Sequence, residues 1–363
     1  MSRPLPLLVR VLRAPAGIES FSLSDWDLIL RQALAANLTA GLWAALDDAG
    51  VIDRVPAQAR RHLEWARRLA ERHADAVHWE VAQIAAALRK LALPLILLKG
   101  AAYVASGAPA ARGRLFSDID ILVPKDQLPA VESALLMHGW RGGQHDDYDQ
   151  RYYREWMHEL PPMLHFKRQT MIDVHHAILP PTARDHPDPV LLRQAAVTVP
   201  ADLPLRLQTL DPVDMLLHSA THLFYDGETD KALRDMVDID RMLRAFDGGQ
   251  WQGLPARAVA LELQRPLFYA LRYAAWLFDS PVPADVMAAA AANGSPNGAL
   301  LALMDALFQR ALLPDHASCN RAGSGLSRFL LYIRGNWLRM PPLMLTRHLF
   351  HKAFLSPKTI PAA

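Results

Sequence analysis

The sequence is almost without cysteine: Cys319 stands alone among 363 residues. A lone thiol excludes an intramolecular disulfide framework and any cysteine-built zinc cluster, and it suits a reducing compartment, so a cytoplasmic location is expected. Membrane-length apolar runs are lacking too. The stretch 91–98 is apolar, but Pro94 breaks it and Lys99 ends it, far short of the roughly 20 residues a bilayer span needs. Residues 1–17 carry Arg3, Arg10 and Arg13 without the apolar run and cleavage site of a secretory signal. Charge of one sign is scarce as well. A net charge of +2 is too small to imply a polyanionic partner, and no continuous basic and aromatic groove points to nucleic acid. Only the end of the chain is lopsided: acidic residues stop at Asp315, while Arg321, Arg328, Arg334, Arg339, Arg347, Lys352 and Lys358 follow.

What is present is the mix of a globular protein with a real core, 51% hydrophobic and 21% charged, and a length that suggests two or three domains. The pattern changes twice. Residues 1–93 read as a helical region. Ser24 is placed to cap a helix through Trp26, Leu28, Ile29, Leu34 and Leu38; Val55-Pro56 interrupts, and a second pattern runs through Leu63, Trp65, Leu69, Val77, Ile84 and Leu88. Residues 94–180 read as an α/β core, with strands over 94–98, 119–123, 152–158, 163–166 and 171–178 and helices over 101–105 and 127–138. Gly139 follows the second of these helices, in the position where φ can be positive. Residues 181–363 return to helix, over 212–225, 231–246, 264–277, 283–293 and 298–313. The expected fold class is α+β: a small mixed sheet between N-terminal helices and a C-terminal helical domain.

The strongest chemical signal is Ser117-Asp118-Ile119-Asp120-Ile121-Leu122-Val123. On a strand, Asp118 and Asp120 share one face while Ile119 and Ile121 enter the core. Same-face neighbours lie about 6.5–7 Å apart. At that spacing two carboxylates can converge on divalent cations, which lie about 3.5–4 Å apart in two-metal phosphoryl-transfer sites. The competing reading is an edge strand with a solvated acidic face. Asp238-Ile239-Asp240 repeats the tripeptide in a helical context, where the two carboxylates point about 200° apart and cannot form such a clamp.

Neighbouring residues add to the signal. Lys99-Gly100-Ala101 falls at a strand-to-helix turn, where glycine lets backbone N–H groups approach a phosphate and Lys99 can balance its charge; a plain turn is the alternative. Arg112 and Arg114 are natural triphosphate contacts, or a solvated loop. Downstream, Asp173 and His175 share a strand face. Asp173 can supply a third carboxylate, as metal ligand or as the base for an acceptor hydroxyl, unless the pair is a structural Asp–His hydrogen bond. His218 and His222 lie one helical turn apart, among core residues, and read as lining a domain junction rather than as a metal site. Lys231, Arg234 and Asp238 can reach a nucleotide from the next helix, though surface ion pairing explains them equally. His145-Asp146 has the look of a metal-phosphohydrolase pair but sits in loop-forming sequence beside Gly142 and Gly143. The stretch 326–355 mixes apolar and basic residues; it is expected to pack back on its own domain, with an anionic membrane or acidic partner as the other possibility.

Taken in combination, several segments resemble the uncharacterised nucleotidyltransferase family of bacteria, within the polymerase-β-like superfamily. They are Leu97-Leu98-Lys99-Gly100; Arg114 through Ser117-Asp118-Ile119-Asp120-Ile121-Leu122-Val123; His158-Glu159-Leu160-Pro161-Pro162; and Ile172-Asp173-Val174-His175-His176. The segment from Asp211 through His218 and His222, and that from Lys231 through Arg234-Asp235 to Asp238, resemble its helical half. The resemblance implies that Gly100 contacts nucleotide, that Asp118 and Asp120 are the metal pair and that Asp173 is the third carboxylate. Nucleotide contacts then extend over Lys99, Gly100, Ala101, Arg112, Arg114, Ser117 and Lys231, with His158, His175, His222 and Asp238 lining the site. Where the superfamily usually has a second Gly or a Ser, this chain has Ala101, which removes a hydroxyl contact to phosphate.

The implied activity is transfer of a nucleoside monophosphate from an NTP to a hydroxyl of a small molecule, sugar or peptide, with release of pyrophosphate and with Mg²⁺, or Mn²⁺, as cofactor. A degenerate nucleotidyltransferase fold acting as a nucleotide-binding or accessory module is one alternative. A metal-dependent glycosyltransferase or phosphotransferase is another, since those also use Asp-x-Asp. Such relatives resemble tailoring enzymes of bacterial biosynthetic clusters.

Overall fold

A computed structural model describes residues 4–142 and 156–341. Its sheet has seven strands: β1 (Leu95–Leu98), β2 (Asp118–Leu122), β3 (Trp140–Gly142), β4 (Met163–His165), β5 (Met171–His175), β6 (Val197–Thr198) and β7 (Leu207–Thr209). Their spatial order is β3-β4-β5-β2-β1-β7-β6. β2 runs antiparallel to β1 and parallel to β5, and β1 runs parallel to β7, so the sheet is mixed. With many helices around a mixed sheet, the chain is of the α+β class expected.

The central strands are short and apolar, and their neighbours on both sides satisfy the backbone. Every residue of Leu95–Leu98 is buried. Along β2 the alternation holds at the core face, with Ile119 and Ile121 buried. Helix Lys99–Ser106 leaves β1 directly, and helix Leu128–Met137 follows β2. Gly139 then turns the chain into β3 with φ +98°, as its position after the helix predicts.

Helix Ala57–Leu88 buries Leu63, Ala70, Val77, Val81, Ile84 and Leu88 at helical spacing. Trp65 and Leu69, which the sequence pattern also placed on that stripe, are instead 71% and 48% exposed. Glu80 on this helix is buried, and it anchors the β4–β5 turn. Arg168 Nε and Nη2 donate to its two oxygens at 2.8 and 2.7 Å, and Thr170 Oγ1 donates at 2.8 Å.

Several expectations need correction. The N-cap of helix Leu23–Ala35 is Ser22, not Ser24: Ser22 accepts from Asp25 N–H, and the Asp25 side chain bonds back to the Ser22 N–H. That helix does not reach Leu38, because Asn37 takes a φ of +54°, a conformation Asn tolerates better than most residues. The last strand of the core stops at His175 rather than at residue 178. Residues 152–155 of the expected 152–158 strand lie outside the described residues. Beyond them only Glu159 joins the sheet, by a bridge to His175.

The C-terminal half is not all helix: β7 pairs with β1 from Leu95↔Leu207 to Leu97↔Thr209. Helices Leu7–Arg13, Pro189–Ala195, Gly248–Ala260 and Ser324–Arg339 were not anticipated from periodicity. The last of these covers the described part of the basic C-terminal stretch. Arg334 Nη1 donates to the Phe224 carbonyl at 2.7 Å, and Arg339 ion-pairs with Asp226, both on helix Pro212–Asp226. The remainder of that stretch, and His145-Asp146, lie outside the described residues. Among the described residues no helix is long and apolar enough to cross a membrane.

Candidate functional site

The parallel register of β2 and β5 builds the site. It pairs Asp118 with Met171, Asp120 with Asp173 and Leu122 with His175, so Asp173 stands directly beside Asp120. His175, two residues on and on the same face, reaches diagonally back: its Nε2 is 2.8 Å from Asp120 Oδ1. From the other side, β1 pairs Leu98 with Asp120 and so delivers Lys99, whose Nζ donates to the same Oδ1 at 2.8 Å. Lys99 holds a φ of +45°, unusual for a residue with a Cβ; strain of this kind persists only where surrounding structure fixes it.

These contacts set the electrostatics. Burial alone would raise the Asp120 carboxyl, but Lys99 and the His175 hydrogen bond overcome that and hold it far below the usual carboxylate range. Burial works against the Lys99 ammonium, yet Asp120 raises it above its ordinary value. Asp173 has no such partner. Burial pushes it up to about 7, with the charges of Asp120, Glu159 and Asp118 adding to the effect. Its Oδ1 is buried without a hydrogen-bond partner. His158, behind this cluster, is driven well below its ordinary value by burial and then by His175 and Lys99.

A cleft of about 340 Å³ opens in front of Asp118 and Asp120. The sheet and its loops give it Lys99, Gly100, Arg114, Phe116 and Ser117; the helical half gives Ser219, His222, Lys231, Arg234, Asp235 and Asp238. Asp118 is half-buried and accepts from Ser117 Oγ at 3.0 Å. Seven acidic side chains (Asp118, Asp120, Asp226, Glu228, Asp230, Asp235, Asp238) face four basic ones (Lys99, Arg114, Lys231, Arg234) across this space. A triphosphate entering such a cleft needs added cations.

Not every residue singled out from sequence reaches the cleft. Arg112 does not: it points outward, paired with Asp47 and Asp48 and stacked 5.3 Å over the Trp43 ring. Ala101 is buried in the core and absent from the cleft wall. Gly100 lines the cleft, but its α-carbon lies under the Phe116 ring; an added Cβ would meet Phe116 Cδ1 at 2.3 Å. Arg114 lines it with its charge already engaged by Asp238 and, at 3.4 Å, by Asp235. Asp173, His158 and His175 sit behind the wall, around Asp120, whereas His222, Lys231 and Asp238 are on it. His218 is buried, and burial followed by Lys99 holds it well below its ordinary value. Asp240, the partner in the helical comparison pair, turns away to Arg244 and Ser280.

Sequence reasoning assigned no role to Glu159, Phe116 or Asp235. Glu159 carried a signal, standing beside His158 in one of the segments that bear the resemblance. Asp235 carried the same kind of signal, in the segment from Lys231 to Asp238, whereas Phe116 carried none, since only the tertiary fold brings it over Gly100. The arrangement can bind a polyanion through cations and offers a carboxylate of raised proton affinity beside it. A family model described as uncharacterised nucleotidyltransferase matches residues 22–279. No curated protein matches the chain.

Proposed function

Since the chain belongs to the uncharacterised nucleotidyltransferase family, we propose that it transfers a nucleoside monophosphate from an NTP to a hydroxyl of a small-molecule, sugar or peptide acceptor, with Mg²⁺ or Mn²⁺ as cofactor. The observation that carries this reading is the β2–β5 register, which sets Asp173 beside Asp120 on a strand whose Asp118 faces the cleft.

The residues fit a divalent cation. The buried, unpartnered Asp173 Oδ1 and the crowding of Asp118, Asp120, Asp173 and Glu159 leave negative charge that Lys99 and His175 only partly meet. Asp118, Asp120 and Asp173 would hold the ion, which supplies charge neutralisation of the triphosphate and polarisation of the reacting phosphoryl group. The chain's own residues position the reactants. Lys231 and Arg234 face the triphosphate from the helical half, with Ser117 and the turn at Gly100 opposite them. The acceptor oxygen forms a bond to the α-phosphorus as the bond to pyrophosphate breaks. The hydroxyl proton passes to a carboxylate of the cluster, for which Asp173, set beside Asp120, is the residue we assign.

Asp118→Asn is the cleanest test, because among the described residues Asp118 hydrogen-bonds to Ser117 alone, whereas Asp120→Asn also strands Lys99 and His175. Calorimetry with Mg²⁺ and a non-hydrolysable NTP should show binding to the wild type and a loss of at least tenfold in the variant. Unchanged affinity overturns the reading.

A nucleotide-binding module without catalysis is the second reading. It is favoured by the Phe116 ring over Gly100 and by Lys99 on the Asp120 oxygen that a cation would take. Pyrophosphate release with any acceptor dismisses it.

A further inference from the structure

Next to Asp120, on residues that do not themselves line the cleft, lies a second group of donor atoms. Glu159 forms an antiparallel bridge to His175, and the backbone on either side is pinned: Leu160 N–H donates to Val174 O at 2.9 Å and His176 N–H to His158 O at 2.8 Å. This holds the side chains of His158, Glu159 and His175 together, each offering one ligand atom within 4.8 Å of the others. The His158 and His175 ring centroids are 5.3 Å apart.

His175 engages Asp120 through Nε2 and turns Nδ1 toward this group. Nδ1 lies 3.1 Å from Glu159 Oε2, yet it is buried and has no hydrogen-bond partner, so the contact is too far off line for a hydrogen bond. His158 Nδ1 is likewise buried and unpartnered. Burial works against a charged ring, yet Glu159 and the Asp120 bond raise the proton affinity of His175, so Nδ1 and Oε2 face a place that favours a cation, whether a proton or a metal ion. Ligands of one ion are expected to meet off line, because each points at the ion and not at the other. Tetrahedral ligands about 2.0–2.1 Å from zinc are about 3.3 Å apart, close to the His175–Glu159 separation.

We propose that His158, Glu159 and His175 form a second metal site, for a borderline-soft divalent ion of the zinc type, distinct from the cation site on Asp118 and Asp120. Two imidazoles and one carboxylate are the donor set of three-ligand zinc sites that keep an open position, whereas Mg²⁺ prefers oxygen ligands. The His175 bond to Asp120 supplies the outer support such a site needs: the carboxylate fixes the ring and leaves Nδ1 as the ligand atom. The ion acts through His175, as a positioning element that holds the ring against Asp120. This inference stands on its own donor atoms and does not require the NTP site to be active.

Co²⁺ is the probe, added to metal-stripped full-length protein and followed by its visible absorption, with Zn²⁺ competition. One equivalent should bind, giving d–d bands that Zn²⁺ abolishes and millimolar Mg²⁺ leaves in place. His158→Ala and the milder Glu159→Gln should each weaken Co²⁺ at least tenfold, with circular dichroism confirming that the variants fold. Asp118→Asn should retain the bands while losing Mg²⁺–NTP, which separates failure of this site from failure of the other. Absence of stoichiometric Co²⁺ in the wild type, displacement by Mg²⁺, equal binding in the folded Glu159→Gln variant, or loss on Asp118→Asn each overturns the proposal.

Discussion

The Lys99 ammonium rests 2.8 Å from the same Asp120 oxygen that His175 contacts, so a lysine from the end of β1 serves as counter-ion for the most deeply buried acid of the cleft. With the Asp120 side chain 3% exposed, removal of that ammonium leaves a carboxylate supported by His175 alone. Lys99→Met should therefore cost roughly 3 kcal/mol in metal-free buffer, the low end for breaking a buried pair because one bond survives. Millimolar Mg²⁺ should return part of the loss, and should raise the melting temperature of the variant more than that of the wild type. Equal metal effects on both proteins would show that Lys99 and the cation do not share Asp120.

Gly100 is required by Phe116. A methyl group there meets the ring at 2.3 and 2.7 Å, and the ring belongs to the loop that leads into Asp118. Gly100→Ala should destabilise by about 1–3 kcal/mol, the usual cost of overpacking, and adding Phe116→Ala should recover much of it. Urea unfolding of the three variants measures the coupling; independent, additive effects would sink the explanation.

Lys231 and Arg112 should behave differently toward nucleotide. Lys231 is exposed on the cleft wall, whereas Arg112 is tied to Asp47 and Asp48 outside it. Lys231→Ala is expected to weaken Mg²⁺–NTP binding roughly fivefold, about 1 kcal/mol, and Arg112→Ala to leave it unchanged. Calorimetric titration decides, and the reverse order would place the triphosphate elsewhere.

An ion pair outside the cleft lining is expected to set part of the acid limit of stability. Arg272 Nε and Nη2 donate to the two Asp305 oxygens at 2.9 and 2.6 Å, and these bonds hold the Asp305 carboxyl below its ordinary 3.8. The native state thus binds this proton less readily than the unfolded chain. Its contribution is fully present above the unfolded value of 3.8 and is lost as pH falls toward the lower folded value. Asp305→Asn should flatten the fall in melting temperature between about pH 4.5 and 2.5 by removing this linkage; an unaltered acid slope would count against it.

How much of this the sequence carried depends on whether the signal was local. Asp118, Asp120 and Asp173 are placed by strand alternation, a period of two that nothing distant can shift, and the helix ending at Gly139 carried its own stop signal. The exposure of Trp65 and Leu69 was hidden because helical spacing marks a stripe without saying how wide the covered face is. The partner of Lys99 was hidden because only the antiparallel pairing of β1 with β2 brings it to Asp120 rather than to a phosphate. β7 was missed for its length: three residues, Leu207–Thr209, are too few for alternation to register. Arg112 and Arg114 look alike in sequence, yet helix Ala232–Ala245 engages Arg114 through Asp235 and Asp238, and helix Thr39–Asp48 engages Arg112 through Asp47 and Asp48.

The three residues of β7 matter beyond their number. They cover one flank of β1, whose other flank is taken by β2, so the strand that leads into Lys99 is interior only because chain from past residue 200 returns to it. A shortened protein ending at residue 180 would leave that flank bare, a row of unsatisfied amides and carbonyls bordered by leucines. Copies would zip together along it before any cleft could form.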